Sequence, residues 1–162
     1  MYKVVLSLAA LTAGLVATAV PVPADAQMRR GHSVSVQGAR GHGYTQWRSA
    51  SRQRGSATIS RGLQTNSGGG YEASRSRNYG PGDYSSDRSV QANNGRGVTN
   101  SRDASWGDGA YNGSRTIAAN DGRTRDRTTS ATNNGDGTVS YNSTLTRADG
   151  GSRSVSGTVP RP

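Results

Sequence analysis

Cysteine and phenylalanine are absent from this 162-residue chain, and lysine occurs only at Lys3. Without cysteine there can be no disulfide, thiolate metal site or cysteine nucleophile, although an exported compartment would permit disulfides. Large apolar side chains are scarce. Hydrophobic residues make up 30% and aromatics 6% of the chain, too little for a thick globular core and close to the composition of disordered chains. A mostly disordered basic secreted protein is therefore the alternative that any folded reading must displace. Apolar residues at i, i+3, i+4 are missing and glycine number 23, which leaves no helical signal. Acids are missing too, from Gln27 to Tyr71, where seven arginines stand alone.

What is present begins with a leader. Met1-Tyr2-Lys3 precedes the apolar run VVLSLAALTAGLVATAV (4–20), and Ala24-Asp25-Ala26 supplies a small-x-small cleavage site. This predicts a signal peptide over 1–26, hence a product secreted, periplasmic or on the cell surface. No second apolar run follows, so no transmembrane segment is expected after cleavage. Residues 27–162 carry 19 arginines against 9 acids. Their uneven placement suggests a basic Gly/Ser/Arg-rich arm at 27–55, expected to be flexible and poorly ordered, and a β-repeat region at 56–162 of about eight strands.

The β reading rests on turn chemistry and a period of two. GPG (80–82), NNGRG (93–97), GDG (107–109), NDG (120–122) and NNGDG (133–137) punctuate segments of about ten residues. Asn-Gly and Asp-Gly pairs favour the left-handed backbone of tight hairpins. Side chains alternate faces along a strand. Taking alternate residues puts Tyr71, Arg75, Arg77 and Tyr79 together, then Tyr84, Arg88 and Val90, then Arg102 and Trp106. The same set continues through Tyr111, Arg115 and Ile117, then Arg123, Arg125 and Arg127, then Tyr141 and Leu145, and ends with Arg153 and Val155. The complementary set is hydroxyls and amides with Glu72, Asp83, Asp87, Asp103 and Asp126. From residue 71 on, every in-strand arginine falls in one set and every in-strand acid in the other. A disordered chain has no reason to hold that phase. DGAYNGSRTIAANDGRTR (108–125) and DGTVSYNSTLTRADGGSR (136–153) add a repeat of about 28 residues. The expected fold is all-β: an antiparallel meander of short hairpin repeats, as a single-layer or solenoid-like sheet.

Catalysis finds few parts. The only histidines, His32 and His42, both lie in the basic arm and are too few for a metal site. No Gly-x-Ser-x-Gly elbow occurs. NNGDGTV places Thr132 and Ser143 where a calcium loop needs its first and twelfth ligands, and neither is a carboxylate. No enzyme, cofactor or metal is expected. An outer-membrane barrel is rejected because one face carries arginine and the other is wholly polar, so neither can meet lipid. Gly/Asn/Ser-rich strand-turn repeats also occur in curli-type secreted amyloid proteins, and Ser85 and Gln91 resemble that repeat in spacing. The Gly and Asn that should follow are displaced, so the resemblance carries no residue roles.

The expectation is an exported, non-enzymatic structural or extracellular-matrix protein of the cell envelope. Its adhesive face would comprise Arg75, Arg77, Arg88, Arg102, Arg115 and Arg123, then Arg125, Arg127 and Arg153, with Tyr79, Tyr111 and Tyr141. Arginine grips anions bidentately and aromatics stack on sugars or bases, so acidic polysaccharide, lipopolysaccharide or extracellular DNA are the candidate polymers. Self-association through open sheet edges is the other expected partnership. A monomeric secreted polyanion binder is the nearest alternative.

Overall fold

The computed structural model describes residues 28–161; the leader read over 1–26 lies outside the described residues. The strands are β1 (Met28–Gln37), β2 (Gly43–Gln53), β3 (Ser56–Thr65), β4 (Gly70–Gly80) and β5 (Asp83–Ala92). They continue as β6 (Gly97–Gly107), β7 (Ala110–Ala119), β8 (Thr124–Asn133), β9 (Thr138–Thr146) and β10 (Ser152–Pro160). A three-residue 3-10 turn, Ala39–Gly41, joins the first two. Each strand pairs antiparallel with its sequence neighbours, in the order β1 to β10. The result is the all-β hairpin meander, in one layer. The two outer strands do not pair with each other, so the sheet is not closed.

Residues 28–53 differ from expectation. Read as a poorly ordered arm, they instead form β1 and β2, and β2 is paired to β3 along its length from Tyr44–Thr65 to Gln53–Ser56. Charge suggested an arm because no acid and no Asn-Gly turn interrupts this stretch. Alternation is nevertheless present, with Arg30, His32, Val34 and Val36 on one face and Ser33, Ser35 and Gln37 on the other.

Little is buried. Among the described residues only Gly62, Ala73 and Ser86 fall in the buried class. Gly62 is covered by the Trp47 ring, the one large aromatic on the hydroxyl-rich face, which occupies the space a Cβ would fill. A sheet without a core is held by its backbone ladder and by cross-strand side-chain pairs, each contributing roughly 0.2–1 kcal/mol. Both faces therefore remain surfaces.

The turns alternate in kind between the two ends of the sheet. At one end two residues suffice: Asp108 (φ 49°) and Gly109 (φ 75°) both take the left-handed conformation that a type I′ hairpin needs. At the other, Gly95 N–H bonds Ala92 O at 3.0 Å and Ala92 N–H bonds Arg96 O at 2.8 Å, a tight turn closed by Gly95 at φ 81°. This second end carries a device that the sequence reading missed. Asn93 Nδ2 donates to Gln64 Oε1 (2.8 Å), at the end of β3, and to Gly68 O (2.9 Å), in the turn that follows it. Asn66 does the same to Gln37 and Gly41, and Asn120 to Gln91 and Gly95. Three identical rungs recur every 27 residues. The step lengthens to 28 only at the last repeat, where the β8–β9 loop is longer, which is why the 108–125 and 136–153 segments align at 28.

Candidate functional site

Strand register decides which side chains share a face, and it keeps one phase across all ten strands. The arginines that the alternation grouped stand on one face, and they are arranged in rows running across the strands. In one row Arg75 faces Arg88, and Arg88 faces Asn100, followed by Ile117 and Arg125. Continued the other way, it meets Ile59, Ala50 and Arg30. In the next row Ser86, Arg102, Arg115 and Arg127 are successive neighbours, then Leu145 and Arg153. Its other arm is Arg77, Ala57, Arg52 and Met28. Arg30 and Arg52 were missed because they belong to the supposed arm. Their alternation with Gly31 and Ser51 was the available signal.

These guanidinium groups lack carboxylate partners. Among the described residues the one ion pair within 4.0 Å joins Arg123 to Asp121 at 2.7 Å. The reason is topological: Glu72, Asp83, Asp87, Asp103 and Asp126 stand opposite residues of the other face. There Asp126 is occupied by Thr116, whose hydroxyl donates to it at 2.6 Å. Two arginines are positioned by neutral groups on their own face. Arg115 Nε donates to Asn100 Oδ1 (3.0 Å) and Arg127 Nε to Ser143 Oγ (3.1 Å). Both bonds use Nε, which holds the head group and leaves the terminal amines of both residues without a side-chain partner among the described residues.

Arg123 stands at the margin of the face, bordering a hollow with Ile117, Ala119 and Arg125. It lies just before β8, and its guanidinium is held by Asp121 within the turn, where Nε donates at 2.8 Å. That hydrogen bond pulls the Asp121 carboxyl below the ordinary aspartate range and raises Arg123 further. It braces a turn, and its charge is already paired there.

Aromatic residues flank the arginine rows toward the two-residue turns. Tyr79 and Tyr84 are cross-strand partners with ring centroids 5.6 Å apart and planes tilted by 48°. From Tyr84 the same row runs through Ala104 and Gly113. Trp106, Tyr111, Ala131 and Tyr141 are successive neighbours in the row beyond. Tyr111 leans back along its strand, placing its hydroxyl 2.6 Å from where a Cβ on Gly113 would stand, and Tyr141 covers Gly157 similarly at 2.9 Å. Two hollows result. One, of about 500 Å³, is lined by Arg75, Arg88, Arg102, Arg115 and Arg127 with Tyr84 and Tyr111, and Asp103, whose register puts its side chain on the opposite face, also borders it. The other, of about 600 Å³, sets Arg125, Arg127 and Arg153 around Ile117, Leu145 and Val155. Arginine stems there cover the thin apolar strip while the heads stay wet.

Of the histidines, His32 shares a row with Arg48 and Arg61, and His42 closes the first turn. Among the described residues no three His, Asp or Glu side chains are grouped as a metal site would require. No known protein family, curated protein or solved structure matches the chain.

Proposed function

We propose that this is an exported, non-enzymatic structural or matrix β-repeat protein whose arginine/tyrosine face holds anionic polymers. One observation supports this above others: the face gathers arginines from every part of the sheet while the acids that could neutralise them stand on the opposite side. A guanidinium with no carboxylate partner and free terminal amines can bind phosphate, sulfate or carboxylate in bidentate fashion. The open edges of β1 and β10 add a route to self-association, since an unpaired strand edge is a template for another strand.

The test uses the purified protein with heparin, alginate and duplex DNA in turn. Binding to at least one of them is expected, with log K falling linearly as log salt rises, because released counterions drive the association. Light scattering without polymer separates the structural role from that of a monomeric binder: concentration-dependent particles are expected. Failure to bind any of the three at low salt would remove the adhesive reading.

A further inference from the structure

The geometry points to one class of polymer and one orientation. We infer that the hollow lined by Arg102, Arg115 and Arg127 seats a single acidic polysaccharide, bearing uronate or sulfate, laid perpendicular to the strands. This rests on the reading of the face as a polyanion surface and adds a ligand class and a place.

Charge spacing is the first argument. The two rows carry four and six arginines over ten strands, one cation per strand on average. Neighbouring strands lie about 4.8 Å apart, and at the hollow Arg102, Arg115 and Arg127 stand on three consecutive strands, so a polymer crossing there meets one guanidinium per step of that length. Duplex DNA carries a phosphate per roughly 1.7 Å of axis, so the ribbon would neutralise only about one in three. A glycan with one acidic group per sugar can match it nearly one to one.

The rings give the second. The hydroxyl end of Tyr111 lies over Gly113, which shares a row with Tyr84 and Ala104, so Tyr84 and the tip of Tyr111 belong to one row on strands two apart. Two strand spacings are roughly 10 Å, whereas stacked bases follow one another at about 3.4 Å. In a glycan with a two-sugar repeat, every second ring turns the same apolar C–H face to the protein, which suits platforms at that interval. Tyr79 and Tyr84, at 5.6 Å, already touch and leave no slot for a base between them. The volume of about 500 Å³ is that of an ordinary small-ligand site, enough for a short stretch of a longer chain.

The experiment is calorimetric titration with oligogalacturonates of graded length, a heparin octasaccharide and an oligothymidylate of matched charge. Each is run at about 50 mM and 200 mM salt, a range over which phosphate-type contacts lose affinity steeply. Both glycans are expected to bind at least fivefold more tightly than the oligonucleotide. Arg115→Gln and Arg127→Gln should each lower glycan affinity about tenfold and reduce the salt slope by roughly one. Tyr111→Leu should weaken it several-fold without changing the slope. Arg29→Gln removes the same charge from the opposite face, where Arg29 pairs with Ser51, and should cost less than twofold. Circular dichroism on each variant verifies that the sheet is retained. Oligothymidylate binding as tightly as the glycans, or Arg29→Gln costing as much as Arg115→Gln, overturns the inference while the polyanion reading stands. No binding by any probe overturns both.

Discussion

Replacing Asn93 tests whether the rungs at the turn end hold the meander in register. Its side chain makes two bonds, 2.8 Å to Gln64 Oε1 at the end of β3 and 2.9 Å to Gly68 O in the turn that follows it. Both are solvent-exposed, so each is worth the lower part of the usual net range of about 0.5–1.5 kcal/mol. Asn93→Ala should then cost about 1–2 kcal/mol, a fall in Tm of roughly 3–8 °C for a sheet of this size. Asn93→Asp should cost at least as much. The Gln64 amide can turn its NH2 toward a carboxylate, but the Gly68 carbonyl has no donor to offer and would face another acceptor. The assay is a double-mutant cycle by thermal denaturation. Asn93 and Gln64 belong to one rung and should couple by about 0.5–1 kcal/mol, whereas Gln91 belongs to the rung of Asn120 and should add independently. Equal coupling of Asn93 to Gln64 and to Gln91 would refute the rung.

Two further outcomes follow from the same geometry. Ala118 and Ala148 occupy the Gln and Asn positions of a fourth rung, and β8–β9 pairing stops at Asp126–Thr146, short of Arg125–Arg147, whose counterparts Val98–Ala119 and Tyr71–Ala92 are paired. Ala118→Gln with Ala148→Asn should slow hydrogen exchange of that turn and stabilise the sheet by about 1 kcal/mol, more than the sum of the single changes; strictly additive gains would refute it. The Asp136 carboxyl is held below the ordinary aspartate value chiefly by the Thr138 hydroxyl, as Asp121 is by Arg123. A lowered folded pKa means stability present above the unfolded value of about 3.9 and lost as pH falls through the folded one. NMR titration should therefore place both midpoints below that value, with Thr138→Val moving Asp136 back up; a wild-type midpoint at or above it would contradict the hydrogen bonding.

The two-faced sheet was legible because register in a meander is transmitted turn by turn. Once turn lengths are read correctly, one alternation pattern fixes the next, and Arg115, Arg127 and Leu145 fall side by side as the sequence implied. The first two strands were illegible because they break the segregation that gave the others away. Trp47 and Arg29 stand on the hydroxyl-rich face, and the connecting turn Gln37–Gly43 has no Asn-Gly. Arg123 continues the alternation of Arg125 and Arg127, but it lies just before the strand, where its ion pair with Asp121 two residues earlier could not be read from alternation alone. The rungs were hidden because their partners lie 29 residues apart and meet only across two hairpins. QTNSGGG (64–70) and QANNGRG (91–97) were the recoverable trace.

The distribution of charge is costly for a sheet that has no core. Opposite charges placed as cross-strand neighbours would stabilise it by roughly 0.2–1 kcal/mol each, and like charges directly opposite destabilise it by similar amounts. Here Arg102, Arg115 and Arg127 are consecutive neighbours and Arg75 faces Arg88, while the acids face away. Like charges on neighbouring strands repel, so the arrangement forgoes the available salt bridges and accepts repulsion in their place. A polymer that binds the folded face removes that repulsion, and whatever binds only the folded state stabilises it. Under the proposed function, binding and folding would be linked through the same side chains: a polyanion lying along the arginine rows would relieve the repulsion that weakens the free sheet.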